Sequence, residues 1–195
     1  SSTSIFIFNK YTFLFKNENT SIEGAIHNPT FYKSHPPSNN MKTSIKKGIG
    51  FGLTSGVITT LGLIIGLNSG THSKSIIISG ILIIAIADAL SDSLGVHISE
   101  ESEKNKSQSH IWNTTFATFF SKLFFALTFL VPVIFLNINL AIIVSIIWGL
   151  LLITTFSYYI AKENKLKIIT EHLLITILVI ITTHFIGKGI SNFFT

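Results

Sequence analysis

The chain contains no cysteine, which excludes a disulfide framework, a thiolate zinc or copper site and a cysteine nucleophile; any metal must be held by oxygen or imidazole. It also contains no arginine, since all 14 basic residues are lysine. That removes the bidentate fork with which most nucleic-acid binders read guanine and grip phosphate. Charge is scarce as well: 12% of the 195 residues are charged and 47% are hydrophobic, with a mean hydropathy of +0.57. So few charges cannot cover a soluble surface, and the expected solvent is a lipid bilayer. The net charge of +5 then reads as membrane topology, and no nucleic-acid partner is expected.

Residues 1–40 stand apart. They hold three of the four prolines (Pro29, Pro36, Pro37) and one apolar patch, Ile5 to Phe15, interrupted by Asn9 and Lys10. The patch is too short to span a bilayer and lacks the basic, apolar and small-residue order of a secretory signal. The single methionine, Met41, directly precedes the first long apolar run. The expectation is therefore a poorly ordered N-terminal extension over 1–40, with Met41 as the natural start, followed by one transmembrane domain over 41–195. An intact mass of the native protein that begins well before Met41 would refute that start.

Five stretches are long and apolar enough to cross about 30 Å of hydrocarbon as helices: 48–67, 76–98, 113–136, 139–161 and 168–190. Predominantly apolar runs of this length exclude the short alternating strands of a barrel, so the fold class is an all-α bundle of five transmembrane helices. Lysines orient it. Lys42, Lys46, Lys47, Lys104, Lys106, Lys162, Lys165 and Lys167 fall on one side, and Lys74 and Lys188 on the other. This bias predicts a cytoplasmic N-terminus and an external C-terminus. Short connections make successive helices antiparallel neighbours.

Five of the nine acidic residues lie between Asp88 and Glu103. Asp88 and Asp92 are four residues apart, on one face of the second span. Helical rise puts Asp92 about 9 Å and Asp88 about 15 Å from the cytoplasmic boundary. A carboxylate at that depth is costly unless it faces water, a cation or a partner, which makes the pair the candidate site. Continuing the face by eleven residues adds Ser99 and Glu103, so that oxygen ligands descend from the cytoplasm; Glu100, Glu101 and Glu103 would concentrate cations at the mouth. His97 lies near that mouth but off the face. The competing reading is structural: Lys122, about 8 Å deep in the third span, could pair with Asp92 and fix helix register, although one lysine would leave Asp88 over. The three glutamates with Lys104 and Lys106 could equally be a solvated loop. Glu171 suits the positive end of its helix, and His172 and His184 read as interfacial or core imidazoles before proton carriers.

In the first span Gly48, Gly52 and Gly56, and then Gly62, Gly66 and Gly70, recur every four residues. Such steps let helices approach closely. The second span offers Ala87, Ser91 and Gly95, so the expectation is that these two spans pack together or across a dimer axis, bringing Thr54, Ser55, Thr59 and Thr60 near the acids. Pro132 should bend the third span and free a carbonyl.

The segments LTSGVITTLGLIIGL (53–67), ADALSDSLGVHIS (87–99), FFALTFLVPVIFL (124–136) and ITILVIITTHFIGKGI (175–190) resemble the vacuolar iron transporter family, over nearly all of 45–192. The resemblance implies five spans, a cytoplasmic N-terminus, a homodimer and export of Fe²⁺ or Mn²⁺ from the cytoplasm. Ser55 followed by Gly56 stands where the family has an Asp-Gly pair, and Asp92 stands where it usually has methionine. The family's metal-binding helices between spans two and three are reduced here to the short loop of Glu100, Glu101 and Glu103. The acid has moved from the first helix to the second and soft sulfur is gone, which favours a hard divalent ion.

The function expected is transmembrane transport of a divalent cation, in which protons could exchange for metal on Asp88 and Asp92. Ser55 and Thr59 would be secondary ligands, and Lys122 would moderate the site's charge or occupy it. The metal is cargo, and no resident cofactor is expected. A phosphatidyl-transfer enzyme would need a second acidic pair and basic groups for phosphate; no enzymatic activity is expected. The alternative is a structural or regulatory membrane protein with a buried Asp92–Lys122 pair. In a prokaryote the protein would sit in the cell membrane.

Overall fold

The computed structural model describes residues 41–161 and 163–194. The expected extension over 1–40 lies outside the described residues. The rest is helical: α1 (Met41–Thr71), α2 (Lys74–Ser102), α3 (Gln108–Thr128), α4 (Leu130–Phe135), α5 (Ile138–Ile160) and α6 (Lys165–Phe194). With α3 and α4 taken as one broken rod, five helices among the described residues are long and apolar enough to cross a membrane. They coincide with the five expected stretches but extend beyond them at most ends, because backbone hydrogen bonding continues where side chains turn polar. At 1.5 Å per residue, the 31 residues of α1 reach about 46 Å.

Local chemistry sets the ends. Ser107 accepts a hydrogen bond from the His110 amide and Asn137 one from the Leu140 amide, capping α3 and α5. Asn105 and Asn164 take positive φ in the connections, a conformation that asparagine tolerates better than most residues. Pro132 has no N–H for the carbonyl four residues back, and the third span breaks at Phe129, three residues before it. The carbonyls of Ile134 and Leu136, at the end of α4, are taken by Lys74 Nζ at 2.8 and 3.0 Å.

α1 is the axle of the bundle. Its Leu53, Val57, Leu61 and Ile64 join Ile77 and Ile81 of α2, Phe129, Val133 of α4 and Ile153 of α5 in one buried cluster. The glycine row settles differently from the expectation. A Cβ on Gly48 or Gly52 would lie 2.5 Å from the carbonyl oxygen of Thr114 or Thr118, and one on Gly56 3.0 Å from that of Lys122. The first three glycines therefore seat α3, not α2, and the residues they meet also recur every four positions. The upper three meet α6: a Cβ on Gly62 would touch Val179, on Gly66 Thr183 and on Gly70 Gly187. Ala87, Ser91 and Gly95 of α2 face outward, and a Cβ on Gly95 would touch nothing. Much of the remaining outer surface is leucine, isoleucine and phenylalanine, which suits lipid.

Candidate functional site

The glycine contact between α1 and α3 builds the site. Because the two backbones touch at Gly56 and Lys122, the lysine side chain lies beside Ser55 of α1, and its Nζ donates to Ser55 Oγ at 2.8 Å. The buried stripe of α2 runs Ile77, Ile81, Ala85, Ala89, Ser93. Asp88 and Asp92 precede its last two members by one residue, so both carboxylates flank the packed face and reach across to α3. Lys122 Nζ lies 2.6 Å from Asp88 Oδ2, is paired with Asp92 Oδ2, and Ser55 Oγ donates to that same Asp92 oxygen at 2.6 Å.

One ammonium therefore holds both acids, where the sequence alone pairs it with Asp92 and leaves Asp88 over. Lys122 is 1% exposed, whereas the Asp88 and Asp92 side chains are 25% and 23% exposed. The cluster is closed on the lysine side and open on the acid side. Two carboxylates and one ammonium leave one formal negative charge, a site that still attracts a cation. Thr59 is the odd member of the expected ligand set: its hydroxyl donates to the Ser55 carbonyl at 2.9 Å, within its own helix. Thr54 likewise bonds the Gly50 carbonyl, and the buried Thr60 hydroxyl has no hydrogen-bond partner among the described residues.

Two cavities follow the exposed edge of α2. Asp88 opens on one of about 750 Å³, lined with Ser79, Ala87 and Ser91. Asp92 opens on another of about 550 Å³, which also borders Ser91 and reaches Ser99, Lys47 and Glu100. Ser91 belongs to both, so a polar edge joins Asp88, Asp92 and the mouth.

At that mouth the three glutamates separate. Glu100 is 1% exposed; it is paired with Lys47 of α1, and its Oε2 lies 3.6 Å from Lys106 Nζ and 3.3 Å from His110 Nε2 of α3. Glu103 is half exposed and shares Lys47 and Lys106 at 3.6 and 3.3 Å. Glu101 is exposed and forms no ion pair among the described residues. Glu100 is thus a buried tie between α1, α2 and α3 rather than a free collector of cations. Neither Lys47 nor His110 stood out in the sequence as its partner. The signal was the stripe itself: seven residues beyond Ser93, two helical turns, is Glu100.

No protein-family model matches the chain, and no curated protein is similar to it. The site therefore has to be read from its own chemistry. Among the described residues, no three histidine, aspartate or glutamate side chains converge on one metal-sized position. What converges is two carboxylates, one hydroxyl and a lysine. His97 bonds Thr115 at 3.0 Å, His172 bonds Ser157 at 2.6 Å and His184 bonds Ser69 at 2.6 Å, so each ring ties two helices together.

Proposed function

We propose that this chain is a multi-pass membrane transporter that moves a divalent cation such as Fe²⁺ or Mn²⁺ out of the cytoplasm, through the edge of α2 that carries Asp88 and Asp92. The observation that carries the reading is the Asp88–Lys122–Asp92 cluster on helices apolar enough to span: an ammonium seated between two acids that open on cavities. Charges in such a segment are costly, and they are retained where function or pairing needs them. Lys122 acts as a tethered cation that holds the site when no ion is bound. An arriving divalent ion takes the two carboxylates and Ser55 Oγ, all hard oxygen ligands, and displaces the ammonium from them.

The polar edge of α2 also supports a homodimer. Ser79, Ala87, Ser91 and Gly95 are exposed, and a second copy laid on this row would take the acids off the lipid and enclose the path. The lysine bias gives a cytoplasmic N-terminus and an external C-terminus, so Glu100 and Lys47 lie at the cytoplasmic entrance. We assign no catalytic role to any residue. In a prokaryote the membrane would be the cell membrane.

The test is flux of Mn²⁺, Fe²⁺ and Ca²⁺ into proteoliposomes that hold a metal-quenched dye. Saturable flux of at least one ion is expected, falling to the background of protein-free vesicles when Asp88→Asn is combined with Asp92→Asn. A second reading is favoured by one specific contact set: Lys122 reaches Asp88, Asp92 and Ser55 at once, which would also serve a purely structural lock between α1, α2 and α3. Correctly assembled protein that passes none of the three ions would select that lock.

A further inference from the structure

The opposite end of the bundle holds a cavity that cation transport leaves unused. It measures about 670 Å³ and lies between the C-terminal parts of α1 and α6 and the N-terminal part of α5. Its wall toward the middle of the bundle is apolar, with Ile65, Ile146 and Ile181, and its side toward the helix ends is polar, with Asn68, Ser69, His72, His184, Lys188 and Asn192. The gradient agrees on both helices that end there: α1 passes from Ile65 through Asn68 to His72, and α6 from Ile181 through His184 to Lys188 and Asn192. A pocket that is greasy toward the middle and polar at the bundle end has the profile of the lipid interface.

Two observations point to a ligand at this polar side. Asn68 Oδ1 is buried without a hydrogen-bond partner among the described residues, an arrangement that native proteins rarely leave unexplained. Lys188 forms no ion pair among the described residues. No described acid is near it in the fold's layout: Asp88 and Asp92 are mid-helix, and Glu100, Glu101, Glu103, Glu163 and Glu171 belong to the other end. Lys74, the other lysine at this end, is held by the carbonyls of Ile134 and Leu136. The polar side is therefore cationic and open to an anion.

We infer that this cavity binds the head of an anionic phospholipid, with the phosphate at Lys188, a head-group hydroxyl donating to the unpartnered Asn68 Oδ1, and the start of an acyl chain against Ile146 and Ile181. Soluble phosphate shares the head-group chemistry but has no use for the apolar wall, so lipid is the source. This inference rests on the helices lying in a bilayer and is independent of cation transport.

The experiment is native mass spectrometry of the full chain released from detergent, with phosphatidylglycerol titrated in. One phosphatidylglycerol is expected to remain per chain more tenaciously than phosphatidylcholine. Lys188→Gln should weaken its retention about fivefold, the usual effect of one lysine at a lipid surface, and Ile146→Trp should displace it by filling the wall. Lys46→Gln, which removes the same charge from the other end of the bundle, should leave retention unchanged. Competition by equimolar inorganic phosphate would identify a soluble-anion site instead and overturn the lipid assignment. Equal losses from Lys188→Gln and Lys46→Gln, or no loss from either, would overturn the site.

Discussion

Replacing Lys122 by methionine should destabilise the bundle by about 3–5 kcal/mol, the range for removing one partner of a buried ion pair. Methionine keeps the length and apolar stem of the side chain, so the loss isolates the charge. Without the ammonium, Asp88 and Asp92 face each other four residues apart on one helix, and Ser55 loses the donor at 2.8 Å. Like charges at that spacing repel, and no other ammonium among the described residues is paired with either acid. Adding Asp88→Asn and Asp92→Asn to the same protein removes the uncompensated charge and should restore most of the lost stability. The check is the temperature at which the protein ceases to elute as a single species in detergent. A triple variant no more stable than Lys122→Met alone would show that the three side chains do not act as one unit.

The second large effect concerns the seat that brings Lys122 to the site. Gly52→Ala should cost about 1–3 kcal/mol, the range for overpacking a well-filled contact, because the added Cβ would lie 2.5 Å from the Thr118 carbonyl oxygen and 2.9 Å from the Lys122 amide nitrogen. Both are backbone atoms that cannot swing aside, so α3 must move and carry Lys122 away from Ser55. Gly95→Ala supplies the contrast. Its Cβ would meet nothing, and the exchange should stabilise the helix by up to about 1 kcal/mol through backbone entropy and propensity. The same thermal elution assay compares them, and equal behaviour of the two variants would rule out the close α1–α3 contact. If α2 docks against a second copy, Gly95→Ala instead weakens the dimer, which the elution volume reports separately.

The sequence made the helices legible because hydropathy acts over some twenty residues and needs no knowledge of neighbours. The acids were legible for the same reason: Asp88, Asp92 and Lys122 interrupt apolar runs, and charges there demand partners. Helix partners were less accessible. The glycines of α1 announce close contacts without saying with whom, and it is the spacing of Thr114, Thr118 and Lys122 on α3 that answers Gly48, Gly52 and Gly56. Glu100 was hidden differently. It lies among Glu101, Glu103, Lys104 and Lys106, where composition suggests a solvated loop, and its burial depends on Lys47 and His110, 53 residues before and ten after it in the chain. Counting eleven residues along the acidic face leads to Ser99 and Glu103; counting seven from the buried Ser93 leads to Glu100.

The break at Phe129 divides the third span between two owners. Below it, α3 is locked to α1 through three glycines; above it, α4 is tied by Lys74 to the start of α2, and Trp148 of α5 donates to Thr128 at 3.1 Å where the two segments meet. A rigid rod would force α1 and α2 to shift as one body. With a joint in that rod, the start of α2 is held by α4 through the Lys74 clasp, while its other half is bound separately to α1 and α3 through Asp92, Lys122 and Glu100.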